Sequence, residues 1–192
     1  MANTTANKVK FGLKNVHYAT ITTDSTGKIT YGKPVAWPGA VNLSLDAEGD
    51  TNSFYADDIA YYVTVSNNGY SGDFESALIP ESFKLDVMGW KKNTNGVIAE
   101  TADAVPKEFA LLFEFTGDAS MVRHVLYNCK ATRPSISGKT KEDSVDVQTD
   151  TLSLKATPRT SDHVTMAYVS DTSSSVYDGW YDAVVEPTET GA

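Results

Sequence analysis

The chain has 192 residues, 16 Lys and Arg against 25 Asp and Glu, and a formal net charge of −9. At 41% apolar residues it can build the core of a single domain, yet its longest apolar run, Phe109–Phe113, is far short of the ~20 residues of a membrane-spanning helix. Gripping a nucleic acid needs clustered cations. Here no Lys or Arg follows Arg159, whereas Asp162, Asp171, Asp178, Asp182, Glu186 and Glu189 do, which argues against that function.

Residues 1–7 carry no apolar stretch of the kind that directs secretion, and are expected as a loose N-terminal arm. From residue 8 to 182 the chain reads as one mainly β domain, alternating every second residue between short turn signals. The turns are Asp24–Gly27, Asn67-Asn68-Gly69, Asn95-Gly96 and Thr116-Gly117-Asp118, and they predict strands paired as hairpins with their sequence neighbours. Val41, Leu43, Leu45 and Ala47 share one strand face, as do Tyr61, Val63 and Val65. Between them, 46–59 reads as a long polar loop.

Pro80, Glu81, Phe83, Val87 and Gly89 predict a helix over about 80–89: proline at its start, an acid at the positive end of the dipole, and a closing glycine. Phe109, Leu111, Phe113 and Phe115 predict another strand. Across 137–157 the alternation changes parity, from Val145 and Val147 to Leu152, Leu154 and Ala156, so a bulge near Thr149-Asp150 is expected. Tyr177, Trp180 and Tyr181, at i, i+3, i+4, predict a short helix over 175–182 whose aromatic face plugs into the domain, despite Gly179 inside it. Residues 183–192 are expected as a C-terminal arm.

Chemistry-bearing motifs are few. Arg133–Thr140 approximates a phosphate-binding loop, but Arg133 stands where a glycine is needed and alternating sequence rather than a helix follows. Asp46, Glu48, Asp50 and Asn52 have the odd spacing of a calcium loop, without its turn glycine or its terminal glutamate. His17, His124 and His163 show no zinc spacing, and His124 and Cys129 have opposite parity on one predicted strand. No nucleophile elbow, metal set or acid/base pair emerges, so no enzymatic activity, cofactor or metal is expected. A lone Cys129 cannot form an internal disulfide.

Five strings in order, Lys8–Ala19, Asp86–Trp90, Phe109–Phe115, Arg123–Asn128 and Gln148–Leu154, resemble the major tail protein family of long-tailed phages of Gram-positive bacteria. The resemblance spans about 8–182. It implies a β-sandwich or barrel-like tail-tube domain with a flanking helix, closing into six-membered rings that stack into a tube for genome passage. It further implies a virion location, with the tape measure, tail terminator and distal tail proteins as partners. DNA slides through such a tube unheld, and an acidic lumen repels its phosphates. Sheet edges left open in a monomer are paired by neighbours in a ring.

Within this reading, 46–59 is the candidate for the element that reaches the next ring, with Asp50, Phe54, Tyr55, Asp57 and Asp58 as its site residues. The two arms are secondary candidates. The alternative from another class is a carbohydrate-binding or host-adhesion β-sandwich module of a tail tip.

Overall fold

A computed structural model describes residues 9–117, 121–140 and 147–188. In chain order its elements are β1 (Leu13–Thr23), β2 (Ile29–Tyr31), β3 (Val35–Ala36), β4 (Ala40–Glu48), β5 (Thr51–Ala56), β6 (Ile59–Val65), β7 (Gly69–Ser76), α1 (Glu81–Asp86), β8 (Lys91–Lys92), β9 (Ile98–Ala99), β10 (Phe109–Phe115), β11 (Arg123–Ala131), β12 (Asp150–Ala156), β13 (Met166–Val169) and α2 (Ser175–Asp178). The chain is mainly β, with the two short helices where the sequence places them.

One antiparallel sheet dominates, in the order β2-β1-β10-β11-β12-β7-β4, with β3 also on β1 and β13 also on β11. It curls until β1 and β4 come into contact, but no ladder joins them, so the barrel stays open. Antiparallel pairing of sequence neighbours holds for β1–β2, β5–β6, β8–β9, β10–β11 and β11–β12. Distant partners flank the central β10-β11-β12 run on either side, β1 with β10 and β7 with β12.

The concave face holds the main core. α1 delivers Phe83 into it, where its ring lies 4.4 Å from Trp37 and 5.1 Å from both Tyr18 and Phe109. Pro80 caps the helix and Gly89, at φ 75°, turns the chain away. The Trp37 indole N–H donates to Ser76 Oγ at 2.9 Å, satisfying a polar atom inside the core. The Tyr18 hydroxyl donates to Asp86, and burial pushes its pKa up to about 12.

β10 is buried on both faces. Phe109, Leu111 and Phe113 enter the main core, while Ala110 and Leu112 join Ala19, Val125, Tyr127 and Trp180 in a second core on the convex side. That explains why its sequence is a continuous apolar run rather than an alternation.

Two further expectations change. β12 begins at Asp150, with Leu152, Leu154 and Ala156 buried and the intervening residues exposed, so no bulge is needed there; Val147 is exposed and Val145 lies outside the described residues. The bulge is in β11 instead. Phe109 faces Cys129 while Leu111 faces Leu126, so three residues of β11 span two of β10. The extra residue puts Cys129 on the same side as Leu126, correcting the opposite-face reading of His124 and Cys129. Cys129 is nonetheless sealed in the core, its thiol pushed up to about 12 by burial, while the His124 ring stacks on Phe113.

Phe83→Ala is expected to cost about 3–5 kcal/mol in urea unfolding, because it empties the centre of the aromatic cluster. Phe54→Ala, in the exposed β5, is expected to change the stability of the unassembled chain by under about 0.5 kcal/mol.

Candidate assembly surface

β4 to β7 form one long ribbon. Its lower half, β4 with β7, is the last pair of the sheet. Above it the ladder continues: Asn68 N–H donates to the Glu48 carbonyl at 2.8 Å and Ser66 N–H to that of Asp50 at 2.9 Å, and then Thr51 faces Val65. At Gly49 the strands cross so closely that a Cβ would meet the Ser66 carbonyl oxygen at 2.0 Å. The upper half closes through Asp57 and Asp58, at φ 51° and 61°, the two positive φ values of a two-residue hairpin turn.

The segment 46–59 is therefore not a loop. Aspartate tolerates the left-handed region because its short side chain bonds locally, so Asp57-Asp58 turns the chain without the expected glycine. Asp50 sits at the base of this hairpin, Phe54 and Tyr55 lie on β5, and Asp57 and Asp58 make its tip. All five predicted site residues thus lie on one projecting element.

Register divides the hairpin into two faces. Phe54 opposes Tyr62 and Ala56 opposes Ile59 on one side; Ser53 opposes Val63, Thr51 opposes Val65 and Tyr55 opposes Ala60 on the other. Every residue of β6 is exposed, with Tyr61 at 70% and Val65 at 75%. Of the face expected from Tyr61, Val63 and Val65, Val63 and Val65 stay together, while Tyr61 is skipped by a register shift between Phe54 and Tyr55; all three are exposed. A lone two-stranded hairpin is marginal in water, and contiguous apolar exposure marks an interaction site. Of the β6 residues, Ile59 closes the 46–59 segment expected as the candidate, Tyr61, Val63 and Val65 are expected only as one face of a strand, and nothing in the pattern singles out Tyr62.

The base of the ribbon is polar on its outward face. Leu43, Leu45 and Phe74 pack inward, leaving Ser44, Asp46 and Glu48 of β4, Asp73 and Glu75 of β7, and Ser153 and Lys155 of β12 outward. Glu48 pairs with Lys155 at 2.7 Å, and hydrogen bonds from Lys155 and Ser71 hold its carboxyl below the usual range. Asp46 and Glu48 are strand residues rather than loop ligands, and among the described residues no three potential ligands gather to hold a metal. Residues 133–140 have no regular structure, so no helix N-terminus cradles a phosphate within the described part of that motif. Among the described residues β4 pairs with β7 alone, which leaves its other edge open.

On the convex side the C-terminal segment is strapped down. Tyr177 and Trp180 are buried, so the aromatic stripe serves packing. Arg123 lies 3.8 Å from the Tyr177 ring and pairs with the buried Glu114 at 3.0 Å, to which Asn15 and Tyr181 also donate. Residues 183–186, expected within a loose arm, pack as well: Val184 and Val185 join the second core, and the Tyr127 hydroxyl donates to the Val185 carbonyl at 2.6 Å. Arg159, 2% exposed, pairs with Asp162 and with Glu186 at 2.7 Å. Burial works against its charge, but hydrogen bonds to Asp162 and Tyr31 outweigh burial and raise its pKa.

A domain with two packed cores, a polar outer face and a ribbon it cannot bury belongs to the class of structural proteins that build assemblies. The chain belongs to the phage tail tube protein family, which matches residues 2–178, and is a structural component of the virion tail. Membership in a structural family agrees with the absence of catalytic motifs. Among solved structures it is similar to the sheath/tube terminator of an extracellular contractile injection system in the extended state, at 10% identity and TM-score 0.46, covering 84% of this chain and 98% of that one. It is also similar to the tube-terminating cap of the anti-feeding prophage, at 13% identity and TM-score 0.42, covering 88% and 99%. No curated protein matches the sequence.

The strap has a pH signature. For Asp162, burial raises the carboxyl pKa, but the hydrogen bonds from Arg159, the Val164 N–H and Ser161, together with the Arg159 charge, outweigh it and the net shift is downward. Its stabilisation is therefore complete above the unfolded value of about 3.9 and is lost as pH falls through the lower folded value. Asp162→Asn is expected to melt at lower temperature than the parent at pH 7, and the gap between the two melting temperatures to shrink as pH falls below the ordinary aspartate range, as measured by circular dichroism.

Proposed function

We propose that the chain is the major subunit of a phage tail tube. Its open β4 edge pairs with a neighbour to close a hexameric ring, the β5–β6 hairpin reaches the next ring, and the stacked rings surround the path of the DNA. The observation that carries this reading is the hairpin itself: Phe54, Tyr55, Ile59, Tyr61, Tyr62, Val63 and Val65 are all exposed on an element whose extensive contacts, among the described residues, are those between its own two strands. A second molecule removes that surface from water, at about 25 cal/mol per Å².

The outward face bearing Asp46, Glu48, Asp73 and Glu75 supplies the lumen wall. It is polar, it lies beside the edge that joins neighbours, and its acids repel phosphate. Tape measure, tail terminator and distal tail proteins are the partners that the family reading adds.

Replacing residues 51–65 by an Asn-Gly turn keeps the β4–β7 ladder and is expected to leave circular dichroism and melting unchanged while abolishing tubes in negative-stain electron microscopy. Normal tubes from that variant would contradict the role given to the hairpin. Asp73→Lys with Glu75→Lys is expected to leave tubes intact and to slow genome ejection from reconstituted virions; unchanged ejection would remove those acids from the lumen.

A further inference from the structure

An apolar cavity of about 280 Å³ opens on the concave face, lined by Leu43 and Leu45 of β4, Phe113 and Phe115 of β10 and Met166 of β13, with Lys10 among its walls. Its volume, at the lower end of the ~300–1,000 Å³ range of small-molecule sites, is large enough to take an aromatic side chain. Lys10 holds its ammonium 5.3 Å from the Phe115 ring, is exposed, and forms no ion pair among the described residues. The wall is thus a greasy slot with an unpaired cation beside it.

The same chain displays the complementary shape. Near the hairpin tip two exposed aromatic residues, Phe54 and Tyr55, are followed after Ala56 by the acidic turn Asp57-Asp58. We propose that this cavity receives the hairpin tip of a second copy, with Tyr55 entering between β4 and β10 and the turn carboxylates meeting Lys10. The inference rests on the tube reading and specifies where the hairpin lands. Residues 1–8 of the same chain are the competing occupant, but Met-Ala-Asn-Thr-Thr-Ala-Asn-Lys offers one apolar side chain of any size.

Two variants, Tyr55→Cys and Met166→Cys, are mixed, assembled and treated with a short bismaleimide. Cys129, fully buried, does not compete for the reagent. Covalent dimers that form in mixed tubes, and not in unassembled protein or in tubes of either variant alone, are the expected result. Tubes without dimers overturn the cavity assignment and leave the tube reading standing, whereas failure of the unsubstituted chain to form tubes overturns both. An intrachain link from Asn7→Cys to Met166→Cys would assign the cavity to the N-terminal segment and overturn the proposal. As a second measurement, Lys10→Glu is expected to slow tube elongation at least tenfold, and adding Asp57→Lys and Asp58→Lys to restore it. No rescue would contradict the pairing.

Discussion

A two-stranded ribbon has two faces and nothing of its own to cover either. That constraint organises this protein. β6 carries the alternation of a half-buried strand and β5 does not, yet both faces of the hairpin carry aromatic and β-branched residues and both are exposed. Such a hairpin cannot be stabilised by burial within its own chain. It is held by its continuity with β4 and β7, by the crossing at Gly49, and by the bonds of Asp50 and Ser66 that carry the ladder across the junction.

The remainder of the fold makes a platform firm enough to carry it. β10 lies between two cores, so displacing the sheet would disturb both packed layers at once. On the convex side the strap is fixed by three kinds of contact: aromatic packing of Tyr177 and Trp180, the Arg123–Glu114 pair, and Arg159 reaching both Asp162 and Glu186. A buried guanidinium that lost its carboxylates would be strongly destabilising, which ties the C-terminal residues to the body. The division of labour follows from chemistry. Apolar residues that the chain can cover form the two cores, and the densest group of exposed ones, Phe54, Tyr55, Ile59, Tyr61, Tyr62, Val63 and Val65, sits on one projecting element, while others such as Leu78, Val105, Ile136 and Val147 are scattered singly.

The parts of this arrangement legible in the sequence are those governed by local pattern. The Phe109–Phe115 strand, the Pro80-to-Gly89 helix and the Tyr177/Trp180 plug each follow from spacing, and the structure has all three. What escaped depends on context. Asp57-Asp58 turns the chain as Asn-Gly does, but nothing local distinguishes it from a solvated acidic stretch, so β5 read as loop. The alternation of Tyr61, Val63 and Val65 signals a strand face and says nothing about which molecule covers it. The β11 bulge that brings Cys129 to the Leu126 side arises from pairing with β10, and the docking of Val184-Val185-Glu186 from Tyr127 and Arg159; neither leaves a periodic trace. Composition and resemblance point to Asp50, Phe54, Tyr55, Asp57 and Asp58, whereas Tyr61, Val63 and Val65 carry only the signature of a strand face and Tyr62 lies outside that pattern.

The most direct test is a helical reconstruction, by electron cryomicroscopy, of tubes assembled from the purified chain. The account predicts six subunits per ring, β4 hydrogen-bonded to a neighbouring subunit, residues 51–65 buried against the adjacent ring, and Asp73 and Glu75 facing the channel. A tube in which the hairpin stays exposed to solvent, with rings held by other surfaces, would contradict the claim that this ribbon is the element through which the protein assembles.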